Sequence, residues 1–206
     1  MTTRSVLFAC LCLTIACPVA AADGRAPVRS LSEIRNDKVV RQEWDLSCGA
    51  AALATLLKYQ HGVPVTEREV AIGMMGRAEY LENPDILQLR QGFSLLDMKR
   101  YVETRGFRGV GLGQLTFDDL VERAPIIIPV DLQGYPHFVV FRGAFGDRVL
   151  IADSGFGNRT MRRDRLEDVW VDLPNLGQVG FAVLRPDDRP PPNQLVATER
   201  DFLFLR

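Results

Sequence analysis

The sequence predicts an α+β fold in which N-terminal helices pack on an antiparallel sheet. Two features of its 206 residues support this prediction. The part before Pro125 contains helix-capping signals followed by apolar residues at helical spacing. The part after it contains apolar runs of strand length, separated by turns that contain glycine.

The first long helix is expected at residues 48–60, because its leucines share one face and Gly62 follows as a C-terminal cap. Ser47 is the expected N-cap. Residues 165–170 are expected to form a short helical turn. Three other helices are expected to begin with capping boxes, in which Ser or Thr precedes an acidic residue by three positions. These boxes are Thr66/Glu69, Ser94/Asp97 and Thr116/Asp119.

Strands are expected at residues 126–130, 137–142, 149–153 and 180–184. The second of them is apolar on both faces, which places it inside the sheet. Residues 143–147 contain two glycines and are expected to form the hairpin loop between the second and third strands. A short edge strand is expected at residues 39–42.

Four segments are expected along the chain. They are a signal peptide (1–22), an extended lead-in (23–38), one domain (39–185) and a Pro-rich tail (186–206). The tail ends in Phe-Leu-Phe-Leu before Arg206, and it either docks on the domain or is exposed for a partner. The net charge of −1 gives no basis for binding nucleic acid.

The N-terminus predicts export to the periplasm. Residues 6–19 are apolar, and three alanines precede Asp23, as is typical of a cleaved secretory signal. An uncleaved membrane anchor is the alternative interpretation. No later segment is long and apolar enough to span a bilayer, so the mature chain is expected to lack a membrane span.

Cleavage of this signal would leave Cys48 as the only cysteine, because Cys10, Cys12 and Cys17 all precede the cleavage site. The mature protein could then form no internal disulfide. A lone thiol in an exported protein is either reactive or a small buried apolar residue. The count alone leaves both interpretations open.

The position of Cys48 favours a nucleophile, because it falls in the first turn of its predicted helix. The partial positive charge and free N–H groups at a helix N-terminus stabilise a thiolate. His61 cannot serve as its base, since 13 residues of helix separate the two by roughly 20 Å, and a solvated helix end is expected for it. His137 is therefore the candidate base.

The expected strand pairing of the hairpin indicates which carboxylate orients His137. If the hairpin is symmetric about Phe145, His137 lies directly opposite Asp153 on the same face. Asp131, at the end of the preceding strand, is the rival carboxylate. Gln42, six residues before Cys48, is either an oxyanion donor or an exposed loop residue, and spacing alone favours the loop.

Three motifs contain these positions: QEWDLSCGAA from Gln42, HFVV from His137, and LIAD up to Asp153. With the helical stretch at residues 91–107, they resemble the bacteriocin-processing double-glycine peptidases, family thirty-nine of the papain-like cysteine peptidases. The resemblance extends over residues 39–184. Within the family, the chain is similar to stand-alone exported members, among them the protease of a functional-amyloid secretion system.

The resemblance implies a papain-like peptidase fold and a role for each candidate residue. Cys48 would be the nucleophile, His137 the base and Asp153 its orienting partner. Gln42 would form the oxyanion hole together with the Cys48 N–H. The enzyme would cleave a secreted protein or peptide after small residues, typically Gly-Gly. Other components of the export system would be further partners.

Two residues depart from the family pattern: Ser47 stands where many relatives have Asp, and Ser154 where many have Pro. Two other functions remain open, a non-catalytic binding or chaperone module for an export substrate and a peptidoglycan peptidase. No cofactor is expected. One cysteine and two distant histidines do not form a zinc site, so no metal is expected either.

Overall fold

The computed structural model describes residues 29–76, 83, 85–89, 91–187 and 189–205. Its helices are α1 (Leu31–Asn36), α2 (Cys48–Thr55), α3 (Glu67–Met75), α4 (Ile86–Leu89), α5 (Leu95–Thr104), α6 (Phe117–Glu122), α7 (Arg163–Val169) and α8 (Glu199–Phe204). A π-helical turn, Leu56–Gln60, directly continues α2. The predicted signal peptide lies outside the described residues.

The strands are β1 (Arg108–Leu112), β2 (Ile126–Asp131), β3 (Pro136–Phe145), β4 (Arg148–Asp153), β5 (Gly157–Arg162), β6 (Asp172–Leu173), β7 (Gly177–Gln178) and β8 (Gly180–Leu184). The main sheet has the order β1-β8-β2-β3-β4-β5, and each neighbouring pair is antiparallel. β6 and β7 form a separate small hairpin. The predicted α+β class, with helices on an antiparallel sheet, is confirmed.

Helix α2 lies against one face of the main sheet, and all of its residues are buried. Its small alanines allow it to come close to β3, and Leu53 packs with Val140 and Phe181 from the sheet. The opposite face is covered by α7 and Trp170, which pack on Ile128 and other apolar residues of β2 and β3. The central strands are therefore buried on both sides, as their apolar sequences predict.

The three predicted capping boxes are confirmed. In each, the Ser or Thr oxygen accepts from the N–H three residues on, and the acidic side chain accepts from the N–H of the cap. The predicted strands are present too, with slightly wider bounds for the first three. Local capping chemistry therefore determines where α3, α5 and α6 begin.

The extended lead-in and the edge strand were wrong where the structure describes them. Residues 31–36 form α1, which begins with a capping box between Ser30 and Glu33 that the sequence reasoning overlooked. Residues 39–42 form no strand. The N–H of Val40 instead donates to the hydroxyl of Thr55 at 3.0 Å, so this segment is bonded to α2 and not to a strand.

The predicted hairpin loop at residues 143–147 was also wrong. β3 and β4 continue to a two-residue turn at Gly146 and Asp147, where Phe145 pairs with Arg148. Arg142 is unpaired in a β-bulge between Phe141 and Gly143. The hairpin is therefore longer than expected and contains one extra residue in β3.

The C-terminal tail docks on the domain. The N–H groups of Asn193 and Gln194 donate to the carbonyls of Gln60 and Tyr59 at 3.0 and 2.8 Å. Leu195 then enters the core on the α2 side of the sheet with 0% exposure. Of the two interpretations of this segment, docking agrees with the structure. Among the described residues, no helix has the length and apolarity to cross a membrane.

We expect Leu195→Ala to lower the free energy of unfolding by about 2–5 kcal/mol, because it opens a cavity in the main core. Val196, which is 58% exposed, provides the matched control. Val196→Ala should change stability by less than about 0.5 kcal/mol. Urea unfolding measures both variants, and equal effects would contradict docking of the tail.

Candidate active site

Cys48 is the first residue of α2 and is buried. The residue two positions before it, Leu46, has a φ of +66°, a left-handed conformation that non-glycine residues seldom adopt. This sharp turn directs the chain into the helix at the nucleophile candidate. The thiol therefore lies where the unpaired N–H groups of the first helical turn converge.

Ser47 is the N-cap residue of α2, as expected, but its side chain makes no capping hydrogen bond. Its hydroxyl donates to the carbonyl of Trp44 at 2.6 Å and shares a second hydrogen bond with the buried carboxyl of Glu67. Glu67 also accepts from the N–H of Glu43 at 2.9 Å. The loop before Cys48 is thus fastened to the start of α3.

Glu67 is a carboxyl group in a buried position. Burial raises its pKa above the usual value, while the hydrogen bonds from the Ser47 hydroxyl and the N–H of Glu43 lower it in part.

His137, at the start of β3, lies between Asp153 and Cys48. Its Nε2 is 2.9 Å from Oδ1 of Asp153, in a contact that is almost fully buried. Its Nδ1 is also buried and has no hydrogen-bond partner at ideal geometry. With Nε2 occupied by Asp153, Nδ1 is the nitrogen available to exchange a proton with the thiol.

The pKa of His137 is shifted strongly upward. Burial lowers it, but hydrogen bonds to Asp153 and Cys48 and the negative charges of both outweigh burial and raise the pKa to about 9. The imidazole therefore carries its second proton at neutral pH. Such a group can later donate that proton to a leaving amine.

Asp153, the last residue of β4, is fully buried and held from several sides. Its Oδ1 also accepts from the N–H groups of Gly155 and Phe156 at 2.8 and 3.3 Å. Burial would raise its pKa, but the hydrogen bond and charge of His137, with the charge of Arg159, lower it overall. The carboxylate is therefore ionised at neutral pH.

Arg159 is a site residue that the sequence reasoning missed. Its Nη2 lies 3.0 Å from Oδ2 of Asp153, although the angle is not that of a hydrogen bond. Its guanidinium also stacks over the ring of Phe156, 5.2 Å from the ring centroid. Strand β5, which carries Arg159, was not predicted, because residues 157–162 are largely polar and lack a clear alternation.

His137 and Asp153 share a face of the hairpin, but the predicted register was wrong. Val139, and not His137, lies directly opposite Asp153, and the histidine occupies the diagonal position two residues away. The expected loop was too long and the bulge was not foreseen. The two errors together shifted the pairing by two residues, and a shift of two preserves the face.

Gln42 is half-buried, and its side chain is oriented by Ser154. The Ser154 hydroxyl donates to Oε1 of Gln42 at 2.9 Å, and the backbone N–H of Gln42 donates to the Ser154 carbonyl at 3.1 Å. Nε2 makes only a long contact of 3.4 Å with the Trp44 carbonyl. Ser154 thus holds the amide oxygen and leaves the N–H₂ group available.

The two rival residues have other surroundings. His61 is buried, so the expected solvated helix end was wrong, and burial lowers its pKa to about 4. Its ring packs edge-on against Phe107 at 5.1 Å. Asp131 is exposed and accepts from the N–H of Gly134 at 2.5 Å, within the turn after β2. Among the described residues, no cluster of side chains could hold a metal ion.

Comparison with known proteins identifies the family. The Peptidase C39 family profile matches residues 36–173. The chain belongs to the Peptidase C39 family of cysteine peptidases. The family assignment inferred from the QEWDLSCGAA, HFVV and LIAD motifs is thereby confirmed.

Two curated relatives are each called a probable functional amyloid protease FapD. The one from Pseudomonas fluorescens is 41% identical over 145 residues, which are 69% of this chain and 61% of the relative. The one from Pseudomonas aeruginosa is 40% identical over 145 residues, which are again 69% of this chain and 61% of the relative. The chain thus spans about three-fifths of the length of these relatives.

Two solved structures share the fold. One is a double glycine motif protease from an AMS/PCAT transporter in complex with the leader peptide, with a TM-score of 0.56 and 21% identity. It matches 71% of this chain and 90% of its own. The other is the peptidase domain of Streptococcus ComA, with a TM-score of 0.52, 17% identity and coverage of 71% and 97%.

We expect the two histidines to titrate far apart, with a pKa of about 4 for His61 and about 9 for His137. Burial disfavours the charged form of His61, while Asp153 and Cys48 favour the charged form of His137. NMR titration of the imidazole C–H signals resolves both, and His61→Phe assigns them. Two inflections near 6.5 would contradict the described surroundings of both rings.

The same shifts determine how stability depends on pH. His137 binds its proton more tightly when folded, so its contribution is complete below about pH 6.5 and is lost as pH rises through about 9. His61 binds its proton less tightly when folded, so its contribution is lost as pH falls from about 6.5 towards 4. The two histidines therefore favour the folded state most near pH 6.5.

Proposed function

We propose that this chain is an exported cysteine endopeptidase that cleaves a secreted protein or peptide after small residues, within a functional-amyloid export system. The observation that carries the proposal is the position of His137. Its Nε2 is bound by Asp153, and its buried Nδ1 is left for Cys48. The names of the relatives support the amyloid system, and that of the transporter protease supports a Gly-Gly-like site.

Acylation begins from an ion pair, in which the thiol proton of Cys48 already resides on Nδ1 of His137. The thiolate attacks the carbonyl carbon of the scissile bond and forms a C–S bond. The oxyanion accepts hydrogen bonds from the Cys48 N–H and from Nε2 of Gln42, whose amide oxygen Ser154 holds. The imidazolium then donates its proton to the leaving amine as the C–N bond breaks.

In deacylation, His137 acts as the base and the sulfur of Cys48 is the leaving group. Neutral His137 takes a proton from water, which attacks the thioester carbonyl. The C–S bond breaks, and the thiolate of Cys48 is restored beside the imidazolium. Throughout both steps, Asp153 keeps Nε2 protonated and stabilises the charge on the ring, while Arg159 keeps Asp153 ionised.

An apolar cavity of about 320 Å³ lies beside the loop that leads into α2 and is the proposed site for an apolar segment of the substrate. Its wall includes Leu46 and Ser47, which directly precede Cys48, and it extends to Phe93 and Ile72. Arg68 lies at its edge and packs over the ring of Trp44.

Export through the N-terminal signal places the enzyme in the periplasm. N-terminal sequencing of the protein from the periplasmic fraction should give Asp23 as the first residue, because three alanines precede it. A chain that still begins before residue 20 would show that the segment is an anchor. A processed chain in the cytosol would also contradict the proposal.

We expect Cys48→Ala and His137→Ala to abolish cleavage of a quenched-fluorescence peptide containing Gly-Gly, while the chain stays folded. A peptide with Val-Val at the same position is the substrate control. Gln42→Ala should lower kcat by about 10²–10³-fold, because one oxyanion donor is lost. Gln114→Ala is the matched variant outside the site and should behave as wild type.

Full activity of Cys48→Ala would refute the thiol mechanism. Tight binding of the Gly-Gly peptide without cleavage by the wild-type chain would support a chaperone module instead. Release of fragments from purified peptidoglycan, with no cleavage of either peptide, would make the chain a cell-wall peptidase.

A further inference from the structure

Arg142 is a buried arginine at the one irregular position of the β3–β4 hairpin. Its side chain is on the α2 side of the sheet, and the residue is 5% exposed. The guanidinium donates to two neutral acceptors, the carbonyl of Leu195 at 2.9 Å and Oδ1 of Asn158 at 2.6 Å. The charges of Asp201 and Asp37 offset part of the cost of burying this cation, but burial outweighs them and lowers the pKa of Arg142 overall.

The bulge at Arg142 determines which face of the sheet Asp153 occupies. The turn pairs Phe145 with Arg148 and Ala144 with Val149. If this pairing continued without interruption, Val140 would lie opposite Asp153. Asp153 would then share a face with Val140 and point away from His137, because successive strand residues face opposite sides.

The extra residue reverses this outcome. Because Arg142 is skipped in the ladder, Val139 becomes the partner of Asp153. His137 is two residues from Val139 and therefore projects from the same face. The hydrogen bond between His137 and Asp153 thus depends on a bulge that lies five residues along β3 from His137.

The contacts of Arg142 connect this bulge to both ends of the described chain. Asn158, which accepts from Arg142, donates to the carbonyl of Asp37 at 2.6 Å. Leu195 belongs to the tail that is hydrogen-bonded to Tyr59 and Gln60, just beyond the helix of the nucleophile. One guanidinium therefore joins the bulge, the lead-in and the docked tail.

We propose that Arg142 is a positioning residue for the catalytic site: it holds the bulge that brings His137 and Asp153 to one face of the sheet, and the docked tail is its anchor. The inference rests on the proposed function, because it takes the pair of His137 and Asp153 as the working pair. It gives residues 193–195 a part in the chemistry, although they lie beyond the family match at residues 36–173.

The test compares three variants of the full chain. Arg142→Met keeps the length of the side chain and removes every donor. Arg142→Lys keeps the charge but can reach fewer acceptors. Arg148→Met is the matched control, since Arg148 lies in the same hairpin and donates to Oγ1 of Thr160 at 2.7 Å without touching the bulge.

Two measurements report on the site without a known substrate. The first is the rate of Cys48 alkylation by iodoacetamide at pH 6, where an isolated thiol is almost entirely protonated. The second is the NMR titration of the histidines. His61 is near the far end of the α2 segment and serves as the internal reference for an intact core.

We expect Arg142→Met to slow alkylation about tenfold or more, as misplacement of catalytic groups typically does. The His137 inflection should move from about 9 towards 6.5, while that of His61 stays near 4. Arg142→Lys should show smaller changes in the same direction. Arg148→Met should match the wild type in both measurements.

The outcomes separate this inference from the proposed function. A wild-type chain that reacts no faster than glutathione would overturn the proposed function itself. A reactive wild type with an unchanged rate and inflection in Arg142→Met would overturn only the positioning role. If Arg142→Met fails to fold, Arg142→Lys decides: wild-type values there contradict the inference, and a slower rate with a lowered inflection supports it.

Discussion

The buried hydrogen bond between His137 and Asp153 is the interaction on which the rest of the site depends. The bond requires that both residues lie at strand ends, that they share one face of the sheet and that water is excluded from both side chains. Each need constrains the fold: the central sheet is covered on both sides, and the loop after β4 turns its N–H groups back onto Asp153. A carboxylate could not remain ionised there without such partners.

The proposed nucleophile, Cys48, and the proposed oxyanion donor, Gln42, are brought to this pair by separate parts of the structure. Helix α2 is built of small residues, so it reaches the sheet closely enough for Cys48 to contact His137. The loop before it is fastened to α3 by the hydrogen bond from Ser47 to Glu67. Gln42 is aligned by Ser154, the residue next to Asp153, so the end of β4 orients both Gln42 and His137.

The sequence predicted the elements whose signals are local. Capping boxes located α3, α5 and α6, and helix geometry correctly separated His61 from Cys48. The sequence could not locate the bulge, because an unpaired residue leaves no apolar pattern. In addition, Arg142 is held by Leu195, which is distant in sequence. Arg159 was not predicted for a similar reason, because its guanidinium lies beside Asp153 only when β5 pairs with β4.

The central claim is that Cys48 is a nucleophile activated by His137. Intact-mass spectrometry of the chain treated with a peptide chloromethyl ketone ending in Gly-Gly tests it most directly. The account predicts one adduct, located on Cys48, that forms at least about 10²-fold more slowly in His137→Ala, the lower range for loss of a general base. Equal rates in the two chains, or no adduct on Cys48, would contradict it.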